Sequence, residues 1–341
     1  MRALVLEDFH RLVVAERPDP VAGPHDVVLD VAFTGICGSD LHGYTGASGR
    51  REPGQVMGHE SVGHIRSVGS EVTGLDVGQA VTFNPVVAPP TPAWAGREHL
   101  HPGKYVLGVR PDVDAAFAEQ VLVPARNVVP LPDGLPLEHG ALIEPVAVAV
   151  HALRRAGAAG ARNTLVVGGG PIGQSVVLAL RHAGVDPVLV SEIDAARREL
   201  VEHLGAVAID PRDAATGPLA ERVEARFGRL ADVTIDAVGV DASLADALIA
   251  TRVGGVVCLV GRGRPRVSID AFEITTTERS LVGSFTYSAD DFREAARLVA
   301  GETTSSRALI SRIVPLDEAP ETFAALAAGD GTPGKVLVAL S

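Results

Sequence analysis

Residues 164–173 read TLVVGGGPIG, a short apolar run that leads directly into three consecutive glycines. The run of Thr, Leu and Val is typical of a buried strand, whereas the apolar residues over 172–183 recur at helical spacing. Gly168, Gly170 and Gly173 match the pattern G-x-G-x-x-G at the join between the two elements. The sequence therefore predicts a strand, a tight turn and a helix at this point of the chain.

Each glycine of this turn meets a different steric demand of a dinucleotide site. Gly168 permits the tight turn, Gly170 lets the backbone approach a pyrophosphate, and Gly173 lets the helix pack closely on the strand. The helix that begins around Pro171 and Ile172 directs N–H groups and the positive end of its dipole at the phosphates. We interpret these five residues as a dinucleotide-binding loop.

The next predicted strand ends in Glu192, about twenty residues after the glycines. A carboxylate at this position bonds the ribose hydroxyls of the adenosine half and repels a 2′-phosphate. Arg197 and Arg198 follow a few residues later and are close enough in sequence to approach a phosphate. We therefore expect NAD as the cofactor, with NADP as the less favoured alternative.

This strand and helix are the first of a series of alternating strands and helices that runs from about residue 163 to residue 260. Such alternation indicates βαβ units and a parallel sheet that helices cover on both faces, which is a doubly wound α/β domain. The later helices of this domain are predicted at 195–204, 219–227 and 242–252.

The first 135 residues have a different pattern, with short Val-rich runs between Gly, Pro, Asn and Asp turns, and this predicts a rolled antiparallel sheet. Helical spacing returns over 137–156, where Pro145 predicts a break at Glu144 and a new helix beginning there. Two further helices, at 290–300 and 318–328, and a last strand have no assigned place from pattern alone.

Length, charge and cysteine content limit the class of protein. A chain of 341 residues suits two domains better than one core. The net charge of −12 disfavours a nucleic-acid surface. The chain has two cysteines, no apolar leader and no apolar run long enough for a membrane span. We expect a cytoplasmic protein that does not bind membranes.

Candidate metal ligands cluster in the first half of the chain. Cys37 lies in GICGSDLH, His59 and Glu60 lie in GHE, and Glu144 offers a further carboxylate. Thiolate, imidazole and carboxylate are zinc ligands, and a catalytic zinc keeps three protein ligands and one open position. Each residue alone is more often a core or surface residue, so the combination carries the prediction.

Four motifs occur in a fixed order, namely GICGSDLH, MGHESVG, ALIEP and VGGGPIG. In this order they resemble the zinc-containing medium-chain dehydrogenases, in the branch of the sorbitol, butanediol and other polyol or secondary-alcohol dehydrogenases. The resemblance covers essentially the whole chain. It implies a GroES-like β-rich catalytic domain at 1–147 and 285–341, a Rossmann domain at 148–284, and a homodimer or homotetramer.

The resemblance also implies roles for the candidate ligands. Cys37 and His59 would bind a catalytic zinc. Glu60 and Glu144 fill the two carboxylate positions, and members of the family differ over which of the two binds directly. Ser39 has the position of the hydroxyl that accepts the substrate proton. The expected substrate is a small molecule, namely a polyol, sugar, cyclitol or diol. The expected reaction is the reversible, NAD(P)-linked oxidation of one of its secondary alcohols to a ketone.

His42 has the position of the histidine that passes the proton to solvent. Many relatives carry a second, structural zinc on four closely spaced cysteines, expected here between about residues 88 and 107. No cysteine occurs in that segment, so we expect one catalytic zinc and no structural zinc. Cys258 lies in an apolar strand and is expected to be a core thiol. Lys335 matches a family position where a basic residue can approach the cofactor phosphates, but in isolation a lysine at a strand start is expected to be an ordinary surface residue.

Two other functions are compatible with parts of the sequence. A zinc-free reductase of the same superfamily, acting on an activated double bond or a quinone, would not need Cys37, His59 or Glu144. A non-catalytic protein that binds nucleotide would not need the proton relay. Zinc content separates the first alternative from a zinc dehydrogenase, and turnover with alcohols separates the second.

Overall fold

A computed structural model describes residues 1–213, 215 and 217–340. The chain folds into two units, of which the first comprises Met1–Glu144 and Tyr287–Ser341 and the second comprises Pro145–Thr286. The C-terminal segment, whose place the sequence pattern left ambiguous, therefore belongs to the first unit.

The first unit is built on one large sheet. Its strands in the described residues are β3 (Asp26–Gly35), β4 (Glu60–Val68), β5 (Ala80–Phe83), β8 (Gln120–Pro124), β9 (Val128–Pro130), β16 (Ile310–Pro315) and β17 (Lys335–Ala339). They follow the order β16-β17-β3-β4-β5-β9, and β8 pairs with β3. Every pair is antiparallel except β16 with β17, which is parallel.

Two smaller antiparallel pairs accompany this sheet: β1 (Arg2–Asp8) with β2 (Arg11–Glu16), and β6 (Val86–Val87) with β7 (Tyr105–Val106). The helices of the unit are α1 (Gly38–Tyr44), α8 (Ala289–Gly301), α9 (Thr303–Ala308) and α10 (Ala319–Ala327). Its buried core includes Phe83, Phe117 and Phe323.

The second unit contains a six-stranded parallel sheet. Its strands are β10 (Thr164–Val167), β11 (Val188–Ser191), β12 (Val207–Ile209), β13 (Ala231–Asp236), β14 (Thr251–Leu259) and β15 (Ser280–Gly283). The order is β12-β11-β10-β13-β14-β15. The direction of strand progression reverses beside β10, which is where such sheets bind nucleotides.

Helices connect these strands: α3 (Pro171–His182), α4 (Ala195–His203), α5 (Leu219–Phe227), α6 (Asp241–Ile249) and α7 (Phe272–Thr275). A further helix, α2 (Ile143–Ala156), begins at the end of the first stretch of the chain and continues into the second unit. A β-rich unit and a doubly wound parallel α/β unit are therefore present, which confirms the predicted fold class.

Several element ends differ from the prediction. The helix predicted at 242–252 ends at Ile249, because Thr251 pairs with Ala231 as the first residue of β14. The helix predicted to begin at Glu144 begins at Ile143, after a 3₁₀ turn at Leu137–Leu142, and this puts Pro145 in its first turn, where proline is tolerated. In the described residues no helix is long and apolar enough to cross a bilayer.

Candidate metal centre and nucleotide loop

Three metal-binding side chains converge at the join of β3 and β4. The two strands are antiparallel with Gly35 opposite Glu60, so the end of β3 and the start of β4 lie side by side. Cys37 follows β3, and His59 and Glu60 stand at the start of β4. One ligand atom from each of these three residues lies within 4.8 Å of the others.

Gly35 makes room for this arrangement. A Cβ atom built at position 35 would collide with the Glu60 carboxylate. Glu60 is fully buried, and its Oε2 accepts no hydrogen bond within the described part of the chain. The Lys335 ammonium lies 2.7 Å from this oxygen as an ion-pair partner, and a carboxylate oxygen can hold such a partner and still offer a lone pair to a metal ion.

Asp40 supports His59 from the first turn of α1. Its Oδ1 lies 3.5 Å from His59 Nδ1, and its Oδ2 accepts a hydrogen bond of 3.1 Å from the Cys37 N–H. Arg51 lies 3.5 Å from the same carboxylate. Burial opposes ionisation of Asp40, but His59 and Arg51 outweigh it and hold the pKa of this carboxyl below its usual value. A carboxylate behind a metal-binding histidine fixes the orientation of the ring.

The sequence motif contains Asp40, but sequence reasoning gave it no role. The available signal was its spacing, three residues after Cys37, which places the carboxylate where it can accept from the first N–H groups of a helix. In the absence of metal, Asp40 and Cys37 raise the pKa of His59 well above its usual value, against the effect of burial.

Lys335 is buried, with 3% of its surface exposed, so its interpretation as a surface residue is wrong. Its Nζ lies 2.7 Å from both Glu60 oxygens and donates to Oε1 and to the Ile36 carbonyl. The reason is that β17 pairs with β3, which brings the start of β17 to the metal ligands. Burial lowers the pKa of Lys335, but Glu60 and Cys37 raise it above its usual value.

Glu144 lies near these ligands without joining them. Among the described residues, the group that could hold a metal ion consists of Cys37, His59 and Glu60 and leaves Glu144 out. Its Oε1 accepts a hydrogen bond of 2.6 Å from Tyr287 Oη. Burial, together with the charge of Glu60, raises the pKa of Glu144 to about 7. Nothing in the sequence pattern pointed to Tyr287, because it meets Glu144 across 143 residues of chain.

The two relay candidates lie on α1. Ser39 is half-buried two residues after Cys37, and His42 is exposed three residues further along the helix. Residues at this spacing share a helix face, and exposure increases along it from Ser39 to His42.

The donor set fits a zinc ion. It offers a thiolate sulfur, an imidazole nitrogen and a carboxylate oxygen, which is the number and type of protein ligands in a catalytic zinc site. The Nδ1 atom of His59 faces Asp40, which leaves the other ring nitrogen for the metal. The ion pair of Glu60 with Lys335 uses only part of the lone pairs of the carboxylate, so Glu60 keeps acceptor capacity for the ion.

In the second unit, the predicted loop joins β10 to α3. Gly168 has a φ of +96°, a conformation that favours glycine, and a Cβ atom at Gly173 would collide with the Gly168 carbonyl oxygen. Pro171 is the first residue of α3, and Ile172 is the second. Gly170 precedes the helix in an extended conformation with open space beside its Cα.

Glu192 is buried beneath this loop at the end of β11. Its Oε2 accepts from the Gly169 N–H at 2.6 Å, and its Oε1 accepts from the Asp194 N–H at 2.7 Å. The carboxylate therefore braces the glycine loop. Arg197 is half-buried, and its guanidinium lies 3.7 Å from where a Cβ of Gly170 would be. Arg198 instead bonds the Glu192 carbonyl and pairs with Asp210.

Comparison with known families and proteins identifies the family of the chain. Residues 23–133 match the alcohol dehydrogenase GroES-like domain, and residues 171–301 match the zinc-binding dehydrogenase domain. D-xylulose reductase A of Aspergillus niger is 33% identical over 99% of this chain and 96% of its own length. The corresponding enzyme of Aspergillus oryzae is 34% identical over the same shares of the two chains.

Solved structures give the same result. The crystal structure of 2R,3R-butanediol dehydrogenase from Bacillus subtilis superimposes with a TM-score of 0.90 at 30% identity, covering 99% of both chains. Galactitol-1-phosphate dehydrogenase from Escherichia coli has a TM-score of 0.90 at 26% identity, covering 99% of this chain and 100% of that one. The chain therefore belongs to the zinc-containing medium-chain dehydrogenases, in the branch that resembles the polyol and diol dehydrogenases.

Proposed function

We propose that this enzyme oxidises a secondary hydroxyl of a small polyol, sugar, cyclitol or diol to a ketone, reversibly, with NAD as the hydride acceptor. The observation that carries the proposal is the convergence of Cys37, His59 and Glu60 within 4.8 Å of one another. A zinc-free reductase of a double bond or quinone has no use for these ligands, and a non-catalytic nucleotide-binding protein has none either.

The protein residues would divide the work as follows. Cys37, His59 and Glu60 hold the ion, and Asp40 fixes the ring of His59. When bound, zinc supplies a positive charge that lowers the pKa of an alcohol beside it. Ser39 accepts the proton of the substrate hydroxyl and passes it to His42, which is exposed and releases it to solvent.

The charges of the protein favour a deprotonated alcohol. One thiolate and one carboxylate balance a divalent cation, and Lys335 adds a positive charge within 2.7 Å of Glu60. Arg51 likewise offsets the Asp40 carboxylate, so a divalent cation would leave the site net positive while Glu144 is protonated, and a positive environment stabilises the anionic form of a bound hydroxyl.

The nucleotide loop supports NAD over NADP. Glu192 directly follows β11, where its negative charge repels the 2′-phosphate of NADP. Gly168, Gly170 and Gly173 give the pyrophosphate access to the start of α3. Arg197 lies beside Gly170 and supplies a positive charge for the pyrophosphate.

The substrate class draws support from the relatives. D-xylulose, 2R,3R-butanediol and galactitol-1-phosphate, after which they are named, are small molecules with several oxygen functions and secondary carbinol or keto groups. We propose one catalytic zinc and no structural zinc per chain, because residues 88–107 contain no cysteine. The homodimer or homotetramer and the cytoplasmic location stay predictions from the sequence.

The test is a panel of polyols, cyclitols, sugars and diols assayed with NAD and with NADP, together with the zinc content of the protein. We expect NAD reduction with at least one member of the panel. Cys37→Ala should lose zinc and lower kcat/KM by at least about 100-fold, because metal polarisation supplies several kcal/mol of transition-state stabilisation. Cys258→Ala is the matched control, since the other cysteine is buried in the second unit, and it should keep zinc and activity.

Each alternative has its own signature. Activity on a quinone or an activated double bond by a chain without zinc would favour the zinc-free reductase. Bound zinc and bound nucleotide without turnover of any alcohol would favour the non-catalytic protein. Full activity of Cys37→Ala would refute the zinc site.

A further inference from the structure

Two buried carboxylates lie at the metal centre, and different partners hold them. Lys335 holds Glu60 with a full positive charge at 2.7 Å, and Glu60 is one of the three clustered ligands. Glu144 is held by the neutral hydroxyl of Tyr287 at 2.6 Å and stands outside the ligand group.

We propose that Tyr287 is a positioning residue that restrains Glu144, so that this carboxylate does not take the fourth coordination position of the metal. The inference rests on the proposed function, since only a catalytic zinc has to keep one position open for its substrate.

Glu144 needs such a restraint because of where it lies. Gly140, four residues earlier, packs so closely on Val62 of β4 that a Cβ atom there would collide with the valine side chain, and the charge of Glu144 interacts with those of His59, Glu60 and Lys335. Glu144 is also buried away from competing water. Carboxylate oxygens are good zinc ligands, so an unrestrained carboxylate at this point would close the site by binding the ion. The bond from Tyr287 is the one side-chain hydrogen bond of Glu144 in the described residues.

Tyr287 is well placed to act as a fixed point. Only 1% of its surface is exposed, and its ring packs on Phe292 with the centroids 5.6 Å apart. The next residue, Ser288, caps α8: its hydroxyl accepts from the Asp291 N–H, and the Asp291 carboxylate accepts from the Ser288 N–H. The backbone after Tyr287 is therefore fixed, and the phenol cannot follow Glu144 towards the metal.

The contrast between the two holders also has a chemical reason. A resident ligand such as Glu60 can have a buried lysine beside it, because its negative charge attracts both the lysine and the ion. A single neutral hydroxyl donor engages one oxygen of Glu144 and adds no net charge beside the substrate. Tyr287 thus orients Glu144 without changing the charge of the site, which a lysine or arginine at the same position would do.

The experiment uses the full-length enzyme with cobalt(II) in place of zinc, since the visible spectrum of cobalt depends on the number and the type of its ligands. Tyr287→Phe removes the hydroxyl and keeps the ring. We expect the bands to keep the intensity of four-coordinate cobalt but to shift in wavelength, because the Glu144 carboxylate replaces water at the fourth position. Release of the metal to a chelator should slow roughly ten-fold, in line with the value of one hydrogen bond to a charged group.

Two further variants separate positioning from simple loosening of the fold. In Glu144→Gln/Tyr287→Phe no second carboxylate is available, so the spectrum of the unmodified enzyme should return. Tyr44→Phe is the matched control: Tyr44 is a buried tyrosine of the same unit whose hydroxyl donates to the His10 carbonyl at 2.9 Å. It should leave the spectrum and the rate of metal release unchanged. For Tyr287→Phe with alcohol, KM should rise more than kcat falls, because substrate has to displace Glu144.

An unchanged spectrum in Tyr287→Phe would overturn the inference, and so would faster metal release, which is the result expected from mere loosening. Both outcomes leave the proposed function intact if the unmodified enzyme binds cobalt and oxidises alcohols. If the unmodified enzyme binds no cobalt, the proposed function and the inference fail together.

Discussion

Glu60 and Lys335 form a buried ion pair between residues that are 275 positions apart in the chain. Each charge is removed from water, and the attraction between them offsets the loss of hydration only while both are present. Removing either Glu60 or Lys335 alone should therefore lower the free energy of unfolding, because the other charge stays buried without its partner.

Lys335→Met tests this dependence on the metal-free protein, where no ion can compensate Glu60. We expect the free energy of unfolding to fall by about 3–5 kcal/mol, because the variant leaves an uncompensated buried carboxylate. Urea unfolding measures the change. In Lys335→Met/Glu60→Gln the stranded charge is gone, and most of the loss should be recovered. A change within about 0.5 kcal/mol in the single variant, as for an exposed lysine, would contradict the buried pair.

At this scale the sequence predicts the ligand types but not their supporting residues. Cys37, His59 and Glu60 could be proposed because the three ligand types occur together in motifs of fixed order, although each alone is more often a core or surface residue. The parts played by Lys335 and Tyr287 could not be proposed, because they arise where distant segments of chain meet. Lysine before a strand and tyrosine after a loop have no distinctive local pattern.

In the turn between β10 and α3, the helix packs very closely on the end of the strand. A Cβ atom at Gly173 would meet the Gly168 carbonyl oxygen, although position 173 is inside a helix, where alanine is usually preferred to glycine. The close approach of helix and strand therefore outweighs helix propensity at this position.

Gly173→Ala should weaken NAD binding by roughly ten-fold or more, since overpacking costs about 1–3 kcal/mol and shifts the loop. Titration calorimetry with NAD measures the effect. Gly301→Ala is the matched control: Gly301 also lies in a helix, but a Cβ atom there meets nothing within 4 Å. It should bind NAD normally and be neutral or up to about 1 kcal/mol more stable. Unchanged NAD affinity in Gly173→Ala would contradict the close contact between position 173 and the Gly168 carbonyl oxygen.

Element types could be predicted well and element ends less well. Local features such as Pro171 at the first position of α3 mark a boundary in the sequence itself. The end of α6 depends instead on Thr251, which leaves the helix because β14 pairs with β13. Its hydroxyl also donates to the Ala247 carbonyl and shares a hydrogen bond with Thr234. Periodicity contains no information about such a partner.

The parallel sheet of the second unit could be predicted because each of its βαβ units is one continuous stretch of sequence. The large sheet of the first unit could not be completed in the same way. Its strand β17, near the C-terminus, pairs with β3, which belongs to the N-terminal part of the chain. Only the resemblance to a known family indicated that the C-terminal segment returns to the first unit, and that return delivers Tyr287 and Lys335 to the metal centre.

The central claim, a catalytic zinc bound by Cys37, His59 and Glu60, is tested most directly by zinc-edge X-ray absorption on the purified protein. We predict one zinc per chain with one sulfur ligand at about 2.3 Å and the remaining ligands at about 2.0–2.2 Å. That sulfur must come from Cys37, because Cys258 is buried in the second unit and burial raises the pKa of its thiol to about 12. A zinc without any sulfur ligand, or full alcohol oxidation by a chain without zinc, would contradict the claim.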